Sequence, residues 1–448
     1  MSDIKAVIMG HARGLDYFRG TDVPIYVHKQ KLKDIVANKS NLGTYFPQHP
    51  KFDLNWTPFY EGFVEITQGL TLLHVPGHTP GLCILQGSLK DSEDDGTLDT
   101  RMFRRGLANL RAHVSTMKLD DAVAQAIGID SSIASVSSAG GGGMSSASTS
   151  KITAKMPNGG DKHFFMKTGK GEDAAIMFEG EHASLNALHN AVPTLCPQSF
   201  GHGTFASSPS THFLVTDYLH LTSRLSRGGS STAPSLAAKL AKLHTTPAPT
   251  PAGHSQPQFG FPVTTCCGDT PQENGFKSSW AEFYAENRLR FILRQSERNN
   301  GSDKELRSLV TRTADEVVPR LIGDAHLNGG KGVTPVVVHG DLWSGNASRG
   351  SIGNLDAEPE DVVYDPSACY AHSEYELGIM KMFGGFGGSF LKEYHEICPK
   401  TEPVEEYEDR VALYELYHHL NHHALFGGGY RSGAVSIMER LLRKYGGK

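Results

Sequence analysis

Two short apolar runs, each leading into a carboxylate, constrain this chain more than anything else in it. Val336 to Val338 reads as a strand and enters a polar turn, His339-Gly340-Asp341-Leu342-Trp343-Ser344-Gly345-Asn346. A second apolar strand, Val362-Val363-Tyr364, then delivers Asp365 followed by Pro366. An Asp with an Asn five residues on, and a further Asp closing another strand, is the spacing of a phosphoryl-transfer loop. Asp341 can orient an attacking hydroxyl and accept its proton, while Asn346 and Asp365 offer hard oxygen ligands to Mg²⁺ on the ATP phosphates. A lone Asp after a strand is more often a turn cap. Three such residues on the right elements favour chemistry over capping.

The remaining composition mostly excludes. At 448 residues the chain can bury more than one core, and its net charge of -5 gives no general reason to bind nucleic acid or an anionic membrane. No segment has the length and apolarity of a membrane span, and Met1 to Lys5 lacks a signal peptide's basic start and apolar run, so the expected location is cytoplasmic. The six cysteines are scattered, with Cys266 and Cys267 adjacent, which suits neither a disulfide framework nor zinc spacing.

Element order supplies a second constraint. The acidic stretch Lys90-Asp91-Ser92-Glu93-Asp94-Asp95-Gly96 reads as the start of a linker over 91–116. Beyond it, a glycine run containing Gly141 and Gly142 precedes a β-type run, His163 to Lys167, whose Lys167 is the candidate partner of the nucleotide phosphates. Glycines there let backbone N–H groups approach phosphate, although a glycine run alone more often marks a loose loop. The following helix carries Glu181, which would hold Lys167 in place, with Glu179 as the alternative. A strand, Phe213 to Thr216, leads into Asp217-Tyr218-Leu219, and the rest is mostly helical. This order predicts an α+β, protein-kinase-like two-lobe fold, with the small lobe over 117–220 and the large lobe over 221–448. Asp365-Pro366, standing where protein kinases have Asp-Phe-Gly, points to a small-molecule kinase.

From about Met117 onward the chain resembles the fructosamine-3-kinase family, also called ketosamine or protein-ribulosamine 3-kinases. The likeness rests on Phe165-Met166-Lys167-Thr168-Gly169, Met177-Phe178-Glu179-Gly180-Glu181, the run Phe259 to Gly268, and Val338 to Asn346. It continues through Tyr364-Asp365-Pro366-Ser367, Ala371 to Leu377, Met382 to Phe386 and Leu420-Asn421-His422. The resemblance implies an aminoglycoside-phosphotransferase-like fold and ATP-dependent phosphorylation of the sugar 3-hydroxyl of ketoamines formed when sugars glycate lysine, a step that leads to deglycation. It implies Asp341 as base, Asn346 and Asp365 as Mg²⁺ ligands, Lys167 with Glu181 as phosphate anchor, and the backbone of Asp217, Tyr218 and Leu219 against adenine. Trp343 is the expected platform for the sugar-amine. His372 and Glu374 are candidates for substrate contact, with structural bracing as the alternative. The expected partners are ketosamine small molecules and glycated proteins.

Residues 1–90 resemble part of a metallo-β-lactamase-fold, lactonase-like hydrolase, through Gly10 to His28 and His74 to Gly81. Only His11 and His78 of the expected zinc ligands are in place, and two ligands cannot hold a hydrolytic metal pair, so this partial αβ fragment is expected to be inactive. His418, His419, His422 and His423 have i,i+4 spacing on a predicted helix, where packing is the more economical reading than metal binding. The rival functions are a same-fold kinase for another hydroxylated amine, such as an aminoglycoside or choline-like compound, and a catalytically dead binding module.

Overall fold

The computed structural model describes residues 119–138, 147–156, 159–222 and 233–447, together with the backbone of six short strands nearer the N-terminus. The chain divides into two units, Met1–His113 and Val114–Lys448. In the first, β1 (Val7–Ile8), β2 (Ile25–His28) and β3 (Trp56–Phe59) form a parallel sheet. An antiparallel sheet follows, made of β4 (Phe63–Thr67), β5 (Leu70–His74) and β6 (Cys83–Gly87). His11, His78 and the expected linker over 91–116 lie outside the described residues.

The second unit begins with α1 (Asp121–Ile127), which Asp120 caps by accepting the Ala122 N–H. Five antiparallel strands follow: β7 (Ala134–Ser138), β8 (Ser148–Lys155), β9 (Asp161–Lys170), β10 (Ser199–Phe205) and β11 (Ser208–Asp217), in the order β10-β11-β9-β8-β7. Strand side chains alternate between faces. Ile152, Ala154, Phe164, Met166, Phe213 and Val215 therefore share one face and bury against Val123 and Ala124 of α1. The opposite face carries Lys167, in register with Thr149 on one side and Leu214 on the other. A slip of one residue would turn Lys167 into the apolar core.

After β9, Gly171 takes φ +81° and starts α2 (Gly171–Ala191), whose first-turn Glu172 and Asp173 complement the positive end of the helix dipole. Phe178, Leu185 and Leu188 of α2 join the large-lobe core. Strand β12 (Leu219–Thr222) leaves the small-lobe sheet and pairs with a large-lobe strand through Leu219↔Ile352, which puts the lobe crossing at Tyr218, two residues before the expected boundary.

The large lobe is helical around small sheets. Its parts are α3 (Leu236–Thr245), the hairpin β13 (Cys266–Cys267) and β14 (Thr270–Pro271), and α4 (Phe291–Asn300). They continue with β15 (Val336–Val338), β16 (Ala347–Ile352), β17 (Glu360–Val363), β18 (Cys369–Ala371), α5 (Glu376–Phe383), α6 (Tyr407–Phe426) and α7 (Tyr430–Tyr445). Among the described residues no helix is long and apolar enough to cross a membrane.

Candidate active site

Strand β15 is buried at all three positions, paired with β18, and ejects the polar turn from 339 onward at its end. Gly340 takes φ +82°, and a Cβ there would stand 2.0 Å from the Ser367 carbonyl oxygen. Only glycine permits that approach. The Ser367 N–H donates to the His339 carbonyl at 2.8 Å, so the catalytic turn and the segment after Asp365 are stitched together. Asp365 itself has φ +57°, an αL conformation that Asp tolerates better than most residues.

His339 is fully buried, and burial keeps its pKa below the ordinary value. Its Nδ1 accepts the Asp341 N–H at 3.3 Å and its Nε2 lies 3.0 Å from the Tyr364 carbonyl. The neutral ring thereby orients Asp341 against the strand that carries Asp365, and both nitrogens are engaged. Asn346 donates Nδ2–H to the Asp341 carbonyl at 2.8 Å and to Asp341 Oδ2 at 3.3 Å, which leaves its Oδ1 as the oxygen it can offer a cation. Burial, helped by the charges of Asp365 and Glu376, pushes the Asp341 carboxyl up to about 8.

The charged partners converge from three elements. Lys167 Nζ donates to Glu181 Oε1 and Oε2 at 2.7 and 2.9 Å and to Asp365 Oδ1 at 2.7 Å. Burial works against both partners of Asp365's ion pair, yet the Lys167 ammonium holds the Asp365 carboxyl below the usual range. Glu179, the alternative to Glu181, is solvent-exposed, and it is Glu181 that Lys167 meets. Helix α2 is held at this depth by Gly180, where a Cβ would stand 2.5 Å from the Thr264 carbonyl oxygen. Ser184 clinches the position, since its Oγ accepts the Ala368 N–H at 3.0 Å.

At the lobe crossing, the Tyr218 carbonyl accepts the Gly353 N–H at 2.8 Å. Antiparallel pairing alternates direction, so the Leu219 backbone groups turn away from β16 and remain available to a ligand. Asp217 is half-buried, and its Oδ2 accepts the Gln198 N–H at 3.3 Å. Gly141 and Gly142 belong to the connection between β7 and β8 and lie outside the described residues. Trp343 is half-buried, 5.7 Å from the Phe383 ring and seated over Gly345, where a Cβ would meet the indole at 2.2 Å.

One expectation is corrected. His372 and Glu374 are each 2% exposed and belong to the packing beneath the site, not to a substrate surface. Both His372 nitrogens are engaged, with Tyr414 Oη and Thr401 Oγ1, each at 2.8 Å. Glu374 accepts from Arg410 Nε at 2.7 Å, Arg410 Nη2 at 3.1 Å and the Thr401 N–H at 2.9 Å. Their polar atoms are spoken for, so bracing is their work.

Two residues of the site were missed by reasoning from sequence. Glu376, 1% exposed, accepts the His339 N–H at 2.5 Å and the Gly340 N–H at 3.0 Å, clamping the catalytic turn by its backbone. A signal was there to find: a single carboxylate opening the otherwise apolar run Leu377 to Met380 must be buried with a partner. Cys267, whose Sγ lies 3.9 Å from Asp341 Oδ1, left no such signal. The histidines of α6 pack individually: His418 stacks on Tyr375 at 6.0 Å, and His422 Nδ1 meets the His418 carbonyl at 2.8 Å. Among the described residues no group of three or more His, Cys, Asp or Glu side chains is placed to hold a metal ion.

Residues 116–444 match the family described as fructosamine kinase. The chloroplastic protein-ribulosamine 3-kinase of Oryza sativa subsp. indica is 36% identical over 316 residues, which is 69% of this chain and 80% of that protein. The ketosamine-3-kinase of Mus musculus is 35% identical over 297 residues, 62% of this chain and 88% of that protein. A solved structure from Haemophilus somnus 129PT, assigned to the fructosamine-3-kinases, has the same fold, with a TM-score of 0.53 at 21% identity, covering 72% of this chain and 97% of that one.

Proposed function

This chain belongs to the fructosamine kinase family, and on that premise we propose that it is an ATP-dependent kinase of ketosamines, phosphorylating the sugar 3-hydroxyl of ribulosamine or fructosamine adducts on lysine. The single observation that carries the reading is the contact network joining Asp341 to Asn346 and Asp365 to Lys167 and Glu181 across the two lobes. Asp341 receives the proton of the 3-hydroxyl, its carboxylate oriented by the Asn346 amide and its backbone by the His339 ring. Lys167, held by Glu181, orients the nucleotide phosphates. The Leu219 backbone meets the adenine edge, and Trp343 receives the sugar-amine.

The donor set also fits a divalent cation. Asn346 Oδ1 and the Asp365 carboxylate are hard oxygens, the type that Mg²⁺ prefers, and when bound the ion would neutralise phosphate charge. Residues 1–90 add no second activity in this reading, since His11 and His78 alone are too few for a zinc hydrolase site.

Turnover of Mg·ATP by the full chain with ribulose-lysine and fructose-lysine tests the reading. The intact chain should phosphorylate at least one acceptor and the Asp341→Asn chain should not; equal background rates for both chains would reject it.

A further inference from the structure

The Glu376 clamp on the catalytic turn has a support of its own. Its Oε2 accepts the His339 N–H and its Oε1 the Gly340 N–H, the two backbone amides that immediately precede that of Asp341. Behind this carboxylate lies His244, buried in the last turn of α3, with Nε2 3.6 Å from Glu376 Oε2. A bare Nε2 would aim its lone pair at a carboxylate oxygen, so the proton belongs on Nε2 and the ring faces Glu376 as a donor. On its other side, His244 Nδ1 lies 2.8 Å from Oη of the buried Tyr394, which fixes the ring. Burial opposes the charge of Glu376, yet its His244 and His339 neighbours hold the pKa below the usual carboxylate range. The ionised form matters, because a protonated carboxyl would surrender one of its two acceptors.

Two seams bring these residues together. After α3, the Ala248 N–H donates to the Pro335 carbonyl at 2.8 Å, tying the end of that helix to the start of β15. Ser235, the cap of α3, donates to Glu393 and so fixes the helix Gly388–Ile397 that carries Tyr394. His372, Glu374 and Arg410 form a comparable buried group, whose hydrogen bonds run to Tyr414, Thr401, Pro403 and one another. The His244 group ends instead on the catalytic turn.

We propose that His244 is a positioning residue for phosphoryl transfer: held by Tyr394, it fixes the Glu376 carboxylate and, through it, the turn that presents Asp341. The proposal rests on the kinase reading above and concerns its chemical step, not substrate affinity. It is tested by steady-state kinetics on the full chain with ribulose-lysine and Mg·ATP, expressed per folded molecule. His244→Leu should lower kcat about 10–10²-fold, the cost of misplacing a reacting group by up to about 1 Å. The KM for either substrate should stay within about twofold, since no binding contact is lost. His244→Gln, whose amide N–H can stand near the Nε2 position, should recover most of the loss. Glu376→Gln should lower kcat by a similar factor, and adding His244→Leu to it should lower kcat little further, because the two residues act in series. Tyr394→Phe keeps the ring packing and should give a smaller loss with the same lack of additivity. It replaces His244→Leu in the cycle should the leucine chain not fold. Multiplicative losses at His244 and Glu376, an unchanged kcat in His244→Leu, or a glutamine no better than leucine would overturn the assignment. A wild-type chain inert toward every ketosamine removes the kinase reading as well, whereas an active wild type with an indifferent His244→Leu variant removes this one alone.

Discussion

The catalytic turn and the packing beneath it each contain a carboxylate, half-buried at Asp341 and fully buried at Glu374, and the protein treats the two in opposite ways. Glu374 is enclosed by the Arg410 guanidinium and the Thr401 N–H. Burial opposes its charge, but its His372 and Arg410 partners hold its pKa below the usual range. Asp341, by contrast, faces an amide, a thiol and two like charges, and its pKa rises to about 8. Burial opposes the charge at both; what differs most is how completely that charge is compensated. A finished ion pair is architecture, and an unfinished one is available for chemistry.

The comparison can be broken from either side. The largest effect is expected at Asp341, where Asn keeps the shape and removes proton acceptance: kcat should fall about 10²–10⁴-fold, while the thermal midpoint at pH 7 should rise, because the uncompensated carboxylate is gone. Glu374→Leu should do the reverse. It strands the buried Arg410 charge and should cost about 3–5 kcal/mol of stability, read by denaturant titration, while kcat per folded molecule stays within a few-fold. Adding Arg410→Met should recover much of that loss, because two apolar groups leave no charge unpaired; no recovery would show that the pair's worth lies in its geometry.

The sign of the Glu374 shift yields a pH test. A carboxylate whose folded pKa is depressed contributes stability above its unfolded pKa, near 4.5, and loses that contribution as pH falls through the folded value. Denaturation midpoints measured from pH 7 down to pH 3 should therefore drop more steeply for the wild type than for Glu374→Gln. Equal slopes would mean that the pair does not titrate with unfolding. The smallest effect belongs to Trp343→Leu, which removes the ring seated over Gly345. The acceptor KM should rise about 2–10-fold, the worth of one aromatic contact, with the KM for ATP unchanged.

Much of this was legible in the amino-acid sequence. The strand-turn pattern at Val336 to Asn346, the Asp365 strand and Lys167 on an alternating strand depend only on local periodicity and spacing, which survive in one dimension. Glu181 and Lys167 could be paired on paper because one helix directly follows one strand.

Other assignments depended on distance in space. His372 and Glu374 stand seven and nine positions beyond Asp365, and nothing in that spacing says that Arg410 and Thr401 arrive to enclose them. Glu376 and Cys267 belong to the site only because α5 and the β13–β14 hairpin fold back against the catalytic turn. The amino-acid sequence by itself determined which residues could carry phosphoryl transfer, since donor and acceptor chemistry and strand or helix period are local properties. Only the tertiary structure decided which carboxylates were left uncompensated, because burial and partnership are set by contacts between residues far apart in the chain.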